Sequence, residues 1–113
     1  DSMRAVDLPD GEYWFGPTGN GERVRRVDDV GVTLDGAALA SGVMGMDHCV
    51  RTFRRATGAS LPEVVRMASL TPARILGVAD RYGSLEVGKA ADVVVLDPEL
   101  VVRGVYVGGT KVA

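Results

Sequence analysis

The sequence predicts an α+β fold in which short β-strands at both ends of the chain flank a helical middle section. Residues 1–42 combine β-forming residues with Gly- and Asp-rich turns, and residues 44–77 carry apolar residues at helical spacing. Strand patterns return from residue 83 onward. Because strands lie at both ends, we expect residues 1–42 and 83–113 to pair in space.

The first section is predicted to contain four short strands, at 12–16, 23–27, 30–34 and 37–40. Gly-rich turns separate them, most clearly the Pro-Thr-Gly-Asn-Gly segment at 17–21 and the Asp35-Gly36 pair. We therefore expect a series of hairpins in this section.

The middle section is predicted to be helical, with a buried stripe formed by Met46, Cys49, Val50, Phe53 and Ala56. Arg51, Arg54 and Arg55 fall mainly on another side of the same helix, and we expect them to form a solvated face. His48 is expected to point towards the rim, because neighbouring helical positions point in different directions.

Residues that start and stop helices divide this section further. Gly58 is a C-terminal stop, and Ser60 with Glu63 forms a capping box that starts the next helix. A last helix is predicted to begin at Thr71 with Pro72 at its first helical position, and to end at Gly77.

The third section is predicted to form strands at 85–87, 92–96, 100–107 and 110–112. The segment Val93–Leu96 is apolar without alternation, which is typical of a strand covered on both faces.

Two motifs could suggest ligand binding, but both are better explained by structure. The Gly88-Lys89 pair lacks the spacing of a phosphate-binding loop, so we expect a bend before a strand. Alternation sends Trp14 to the opposite face from Tyr13 and Phe15, so we expect these rings to pack within the protein rather than stack on a sugar.

The composition limits the partners of the chain. The 113 residues carry 13 basic and 15 acidic side chains, a net charge of −2, and we expect no nucleic-acid and no membrane partner. The single cysteine, Cys49, excludes an internal disulfide and fits a reducing cytoplasm. The chain starts at Asp1 rather than at an initiator methionine, which suggests a piece of a longer protein.

Several segments in order resemble the N-acetylglucosamine-6-phosphate deacetylase family of the amidohydrolase superfamily. They are Asp-Ser-Met-Arg at 1–4, Leu-Pro-Asp-Gly-Glu-Tyr at 8–13, and the stretches 39–47, 66–77 and 83–97. The resemblance spans essentially the whole chain, although the last stretch alone is typical of the superfamily only. It implies the C-terminal portion of a metal-dependent hydrolase whose TIM barrel is encoded upstream.

The resemblance also implies an organisation of the chain into four parts. Residues 1–10 would be the end of the last barrel strand and the following loop. Residues 11–42 would be β-strands and the loop leading to the last barrel helix, and residues 43–80 would be barrel-associated helices. Residues 81–113 would be the closing strands of the small β-sandwich domain.

The same resemblance implies the chemistry of a deacetylase. Asp1 would deprotonate a metal-bound water and then protonate the departing amine, a shuttle suited to a carboxylate. Leu39, Ala40 and Ser41 would lie against the amino-sugar phosphate substrate. The divalent metal (zinc or similar) would be held upstream, so that this part alone binds none and is inactive. The missing N-terminal barrel of the same protein is the implied partner, and the complete protein is expected to form a homodimer.

Two other hypotheses remain open from the sequence. The chain could belong to another amidohydrolase, such as a cyclic-amide hydrolase or an aminoacylase, or it could be a stand-alone, non-catalytic β-rich interaction module. A part of an enzyme should expose an apolar face meant for the barrel, at Met46, Val50, Phe53, Val64 and Val65.

Overall fold

The structure, a computed structural model, describes residues 3–113. These divide into two compact units, which meet in the sequence between Gly45 and Met46. The first unit is built of strands, and the second combines three helices with a small sheet. The predicted α+β class is therefore confirmed.

The first unit is a four-stranded antiparallel sheet in which each strand pairs with its sequence neighbour. The strands are β1 (Gly11–Phe15), β2 (Glu22–Val27), β3 (Val30–Thr33) and β4 (Leu39–Gly42). Short connections explain this simple order, because each turn returns the chain directly alongside the strand that it has just left. The buried core of the unit consists of Met3, Ala5, Val24 and Val43.

The strand predicted at 37–40 begins later than expected, and the side chains of the preceding turn explain why. The Asp35 carboxylate accepts a hydrogen bond from the Ala37 amide at 3.0 Å, and the Thr33 hydroxyl accepts one from the Ala38 amide at 3.2 Å. These bonds hold residues 34–38 in a turn, so pairing with β3 resumes only at Leu39.

The second unit opens with three helices, α1 (Met46–Thr57), α2 (Leu61–Ala68) and α3 (Leu70–Ile75). Gly58 ends α1 with a φ of 70°, and the Glu63 carboxylate accepts the Ser60 amide at 2.9 Å, as the capping box predicts. The prediction that Pro72 occupies the first helical position is wrong, because α3 already begins at Leu70. Proline is tolerated there because none of the first few amides of a helix has an intrahelical acceptor.

A three-stranded antiparallel sheet closes the second unit. Its strands are β5 (Val93–Leu96), β6 (Val102–Val107) and β7 (Thr110–Lys111), in the order β5-β6-β7. Strand β6 begins two residues later than predicted because the Asp97 carboxylate accepts the amides of Glu99 and Val101, both at 2.9 Å. This carboxylate holds residues 97–101 in a turn, with Leu100 at a φ of 61°.

Three other expectations about the strands are wrong. Residues 85–87 form no strand, because they lie in a turn fixed by Lys89. The expected pairing of residues 1–42 with residues 83–113 is not found, because the described strands form two separate sheets in which each strand pairs across a local turn. Finally, β5 is not covered on both faces within the described residues, as Val94 is 56% and Val95 45% exposed.

Between residues 3 and 113, no helix is both long enough and apolar enough to cross a membrane.

Candidate functional site

The predicted substrate neighbours lie on β4, at one edge of the first sheet. Leu39 is 78% exposed, whereas Ala40 packs against the buried core and the Ser41 hydroxyl donates to the Gly42 carbonyl. The predicted catalytic residue, Asp1, lies outside the described residues. The described chain begins two residues later, at Met3, whose amide donates to the Gly42 carbonyl at 3.1 Å. The start of the described chain is thus bonded to the strand that carries residues 39–41.

The close approach of these segments depends on Gly31 in β3. A Cβ atom at this position would lie 2.9 Å from the Ser41 carbonyl oxygen and 3.3 Å from the Met3 sulfur. A side chain here would therefore push β4 and the Met3 segment away from β3. The sequence offered no signal for this role, because Gly31 sits in an ordinary strand pattern.

The described residues on their own do not fit a metal centre. Within residues 3–113, no group of three or more His, Cys, Asp and Glu side chains could hold a metal ion. The imidazole of His48 is engaged with the Thr52 hydroxyl at 3.0 Å, one helical turn away. The expectation that Cys49 packs inside is wrong, because its side chain is exposed. A structural zinc site needs four ligands and a catalytic one at least three from the protein.

An apolar groove runs between α1 and α2. It has a volume of about 250 Å³ and an almost entirely apolar lining that includes Met46, Cys49, Val50, Phe53, Val64 and Met67. No residue of α1 is buried, so the predicted buried stripe is instead one wall of an open groove. The stripe is exposed because the described second unit places no further element over it.

The apolar face expected of an enzyme part is present in large measure. Met46 is 64%, Phe53 41% and Val65 41% exposed. Val64 departs from the expectation, since it is only 2% exposed and forms part of the interior of the helical unit.

A second cleft in the same unit is lined by arginines. Its volume is about 420 Å³, and Arg51, Arg54 and Arg55 face the turn at 98–100 across it. Arg51 is not part of a solvated face as expected. Its Nη1 donates to the Leu100 carbonyl at 2.9 Å and lies 2.8 Å from an Asp47 carboxylate oxygen.

The environment of Asp47 favours its charged form. Partial burial acts to raise the pKa of Asp47, but the hydrogen bonds from Arg51 and from the His48 amide, together with the Arg51 charge, outweigh it and hold the pKa below its ordinary value of 3.8. The arginine spacing of three and four residues signals a common helix face. The contact with residue 100, which is 49 positions along the chain, leaves no such signal.

The Gly88-Lys89 pair forms a bend, as predicted, and Lys89 fastens it. The ammonium group donates to the Ala79 carbonyl at 2.7 Å, the Ser84 hydroxyl at 2.6 Å and the Glu86 carboxylate at 3.0 Å. The hydrogen bond from Ser84, followed by those from Lys89, lowers the pKa of Glu86. All the donors of Lys89 have acceptors in the protein, so this lysine is a structural clasp.

Two of the three aromatic side chains of β1 are engaged in packing, whereas Phe15, which was expected to pack as well, is exposed. The Arg23 guanidinium lies 5.3 Å from the centre of the Trp14 ring, on the directly paired strand. The Tyr13 ring packs against the core of the first unit, and its hydroxyl donates to the Pro9 carbonyl. These contacts give both rings a structural role.

Comparison with known proteins connects these features to one family. The sequence profile of the amidohydrolase family matches residues 22–112. The chain is 36% identical to the N-acetylglucosamine-6-phosphate deacetylase of Danio rerio over 99% of its length, which is 27% of that relative. It is 41% identical to the N-acetylgalactosamine-6-phosphate deacetylase of Escherichia coli O157:H7 over 96% of its length, which is 28% of that relative.

The fold leads to the same group of proteins. The crystal structure of N-acetylglucosamine-6-phosphate deacetylase from Pasteurella multocida superposes on the whole chain with a TM-score of 0.88 and 27% identity. The match covers 28% of that structure. The chain thus spans about a quarter of the length of these relatives.

Proposed function

The chain belongs to the amidohydrolase family, and from this premise we propose that it is the C-terminal part of an enzyme that deacetylates an N-acetylhexosamine 6-phosphate. With N-acetylglucosamine 6-phosphate as substrate, the reaction consumes one water and releases acetate and glucosamine 6-phosphate. The observation that carries this proposal is the match of essentially the whole chain, in sequence and in fold, to proteins with this activity in their names.

A second candidate substrate is N-acetylgalactosamine 6-phosphate. It is supported by the 41% identity to the Escherichia coli enzyme named for that sugar, against 36% for the Danio rerio enzyme named for the gluco sugar. The two sugars differ only in the configuration of one ring hydroxyl, and the acetamide chemistry is the same for both.

We assign the proton transfers to Asp1. Its carboxylate accepts a proton from the attacking water while the water oxygen adds to the acetamide carbonyl carbon. When the C–N bond breaks, the same carboxyl returns the proton to the departing amine. General acid–base catalysis of this kind contributes about 10²–10⁴-fold in rate. The hydrogen bond from Met3 to Gly42 joins the start of the described chain to the strand that carries residues 39–41, which we propose lie against the sugar.

The remaining parts of the enzyme are assigned to the rest of a longer polypeptide. We propose that an upstream TIM barrel holds the divalent metal, zinc or a similar ion, whose chemistry when bound is to activate water. The exposed apolar faces of α1 and α2 would pack on that barrel. We further propose a homodimer located in the cytoplasm, where the exposed thiol of Cys49 would stay reduced.

The test begins with the intact mass of the natural polypeptide. A mass of 11.9 kDa would identify the 113-residue chain as a complete product, and a monodisperse, folded product of that size would favour the interaction module. A ~250-residue barrel joined to this chain gives roughly 40 kDa. That larger protein should release acetate from N-acetylglucosamine 6-phosphate. N-acetylgalactosamine 6-phosphate and a hydantoin-like ring are assayed beside it, to decide between the two sugars and between a linear and a cyclic amide.

The role of Asp1 is tested by a pair of matched variants in the same protein. Asp1→Asn should reduce kcat at least about 100-fold, since it removes the proton acceptor. Asp7→Asn, an exposed aspartate at a φ of 58° that Asn tolerates, should leave kcat unchanged. Full activity of the Asp1→Asn variant would refute the catalytic role assigned to Asp1. If the protein hydrolyses the cyclic amide in preference to the sugar phosphates, it is a cyclic-amide hydrolase instead.

A further inference from the structure

The arginine cleft of the second unit is an open cleft whose volume is in the range of small-molecule sites. Arg51, Arg54 and Arg55 occupy positions i, i+3 and i+4 of α1, so their side chains share one face. The turn at 98–100 forms the opposite wall. The volume of about 420 Å³ falls within the roughly 300–1,000 Å³ of small-molecule sites.

Arg51, one of the residues that line this cleft, is held in place by two contacts. Both of its contacts, with the Leu100 carbonyl and the Asp47 carboxylate, use Nη1. The donors on Nε and Nη2 have no acceptor among the described residues. A fixed guanidinium with free donors can form two parallel hydrogen bonds to an oxyanion at low entropic cost.

The cleft also carries an excess of positive charge. Within residues 3–113, neither Arg54 nor Arg55 forms an ion pair. Glu99 is the one acidic side chain in the lining, and Asp47 is already paired with Arg51. Because Asp47 offsets Arg51, Arg54 and Arg55 together face the single carboxylate of Glu99, and the net positive charge that remains attracts an anion.

The far wall of the cleft is held in a strained backbone conformation. Leu100 has a φ of 61°, a left-handed conformation that is unfavourable for a residue with a large side chain. This conformation directs the Leu100 carbonyl at Arg51. Strain of this kind is concentrated at binding sites, where it fixes the position of a group that contacts the ligand.

We propose that this cleft binds a phosphate group, either as inorganic phosphate or as a phosphate monoester, through Arg51, Arg54 and Arg55. Phosphate is favoured over a carboxylate because its tetrahedral array of oxygens can engage more than one arginine fork at once.

The test is a titration of the longer polypeptide that contains this chain with inorganic phosphate, monitored by NMR of the backbone amides and arginine side chains at constant ionic strength. Saturable shifts should centre on 51–60 and 98–100. The Arg54→Gln/Arg55→Gln variant, which alters two side chains on the protein surface, should bind at least about tenfold more weakly, because it removes two charged hydrogen-bond donors from the site.

Two further variants separate a defined site from general charge attraction. Arg66→Gln/Arg74→Gln removes the same charge from α2 and α3, outside the cleft, and should bind phosphate as the parent does. Glu99→Gln removes the opposing carboxylate and should tighten binding. The proposal is overturned if phosphate gives no saturable shift, if both double variants weaken binding equally, or if Glu99→Gln fails to tighten it. Comparison with glucose 6-phosphate assigns the ligand: tighter binding of the sugar phosphate indicates an ester, and equal or weaker binding indicates free phosphate.

Discussion

Gly83 and Gly88 allow steric contact and backbone strain to be measured separately. Both residues have a φ of 92°, a conformation that L-residues with a side chain rarely adopt. Their surroundings differ sharply. A Cβ atom at Gly83 would lie 2.9 Å from the Ala73 Cβ and 3.0 Å from the Leu70 Cα, whereas a Cβ atom at Gly88 would meet nothing within 4 Å.

The loss of stability expected from each substitution follows from these contacts. Gly88→Ala should lower the free energy of unfolding by about 1–2 kcal/mol, the cost of a left-handed L-residue. Gly83→Ala carries the same strain and in addition forces the methyl group against α3. Neither Ala73 nor the Leu70 backbone has a rotamer that could move aside, so overpacking adds about 1–3 kcal/mol. The Gly83→Ala variant should therefore be less stable than the Gly88→Ala variant by this overpacking contribution of about 1–3 kcal/mol.

Urea denaturation followed by far-ultraviolet circular dichroism is the appropriate assay, because all three helices lie in the second unit with both glycines. The difference between the two midpoints, at equal slope, gives the steric contribution directly. Equal destabilisation by the two substitutions would refute the close packing of Gly83 on α3. A larger effect at Gly88 would show that the bend at Lys89, rather than the helix contact, limits the stability of this segment.

Three further predictions concern side chains that hold the second unit together. Lys89→Met should lower the free energy of unfolding, measured by denaturant titration, by about 2 kcal/mol, because the Ala79 carbonyl loses a charged donor. Lys111→Met, at an exposed site, is the control and should have little effect. Val64→Ala should cost about 1–3 kcal/mol by the same assay, since it removes two methyl groups from a buried site; no change would show that the site is solvated. The hydrogen bond from the Val101 amide is the main cause that lowers the pKa of Asp97 below 3.8; the contacts with Arg103 act in the same direction, and partial burial opposes them. The Asp97 carboxylate therefore stabilises the fold at pH values above its unfolded pKa, and this contribution is lost as the pH falls through the folded pKa. Thermal melts should show the parent losing more stability than Asp97→Asn on acidification, and parallel losses would exclude this role.

Local chemistry was predictable from the sequence, whereas contacts across the chain were not. The Ser60 capping box, the Gly58 stop and the Lys89 bend each involve residues within a few positions of one another, and the structure confirms all three. The alternation of residues 85–87 resembles a strand, but besides its nearby partners Lys89 also bonds the Ala79 carbonyl, ten residues earlier, and the sequence pattern does not indicate that contact.

The same distinction between local patterns and distant contacts applies to the candidate site. Residues 39–41 could be selected only through the resemblance to a family, because an exposed Leu and two small residues carry no chemical signal of their own. The Arg51 contact with Leu100 depends on how the turn at Asp97 packs against α1, which hydrophobic periodicity does not encode. Periodicity did identify the apolar side of α1, but it could not indicate whether another element covers it.

The distribution of apolar surface bears on the choice between an enzyme part and an independent module. In the described residues the buried apolar core is small, and its largest fully buried side chains are valines. Meanwhile Ile75, Leu76, Leu85 and Val87 are each at least 74% exposed. Isolated exposed apolar residues are ordinary, but a groove between two helices together with this series is the kind of apolar surface that marks a contact with another part of a protein. Such surfaces favour the hypothesis that the helices and the 75–87 segment complete their packing against the rest of a longer hydrolase.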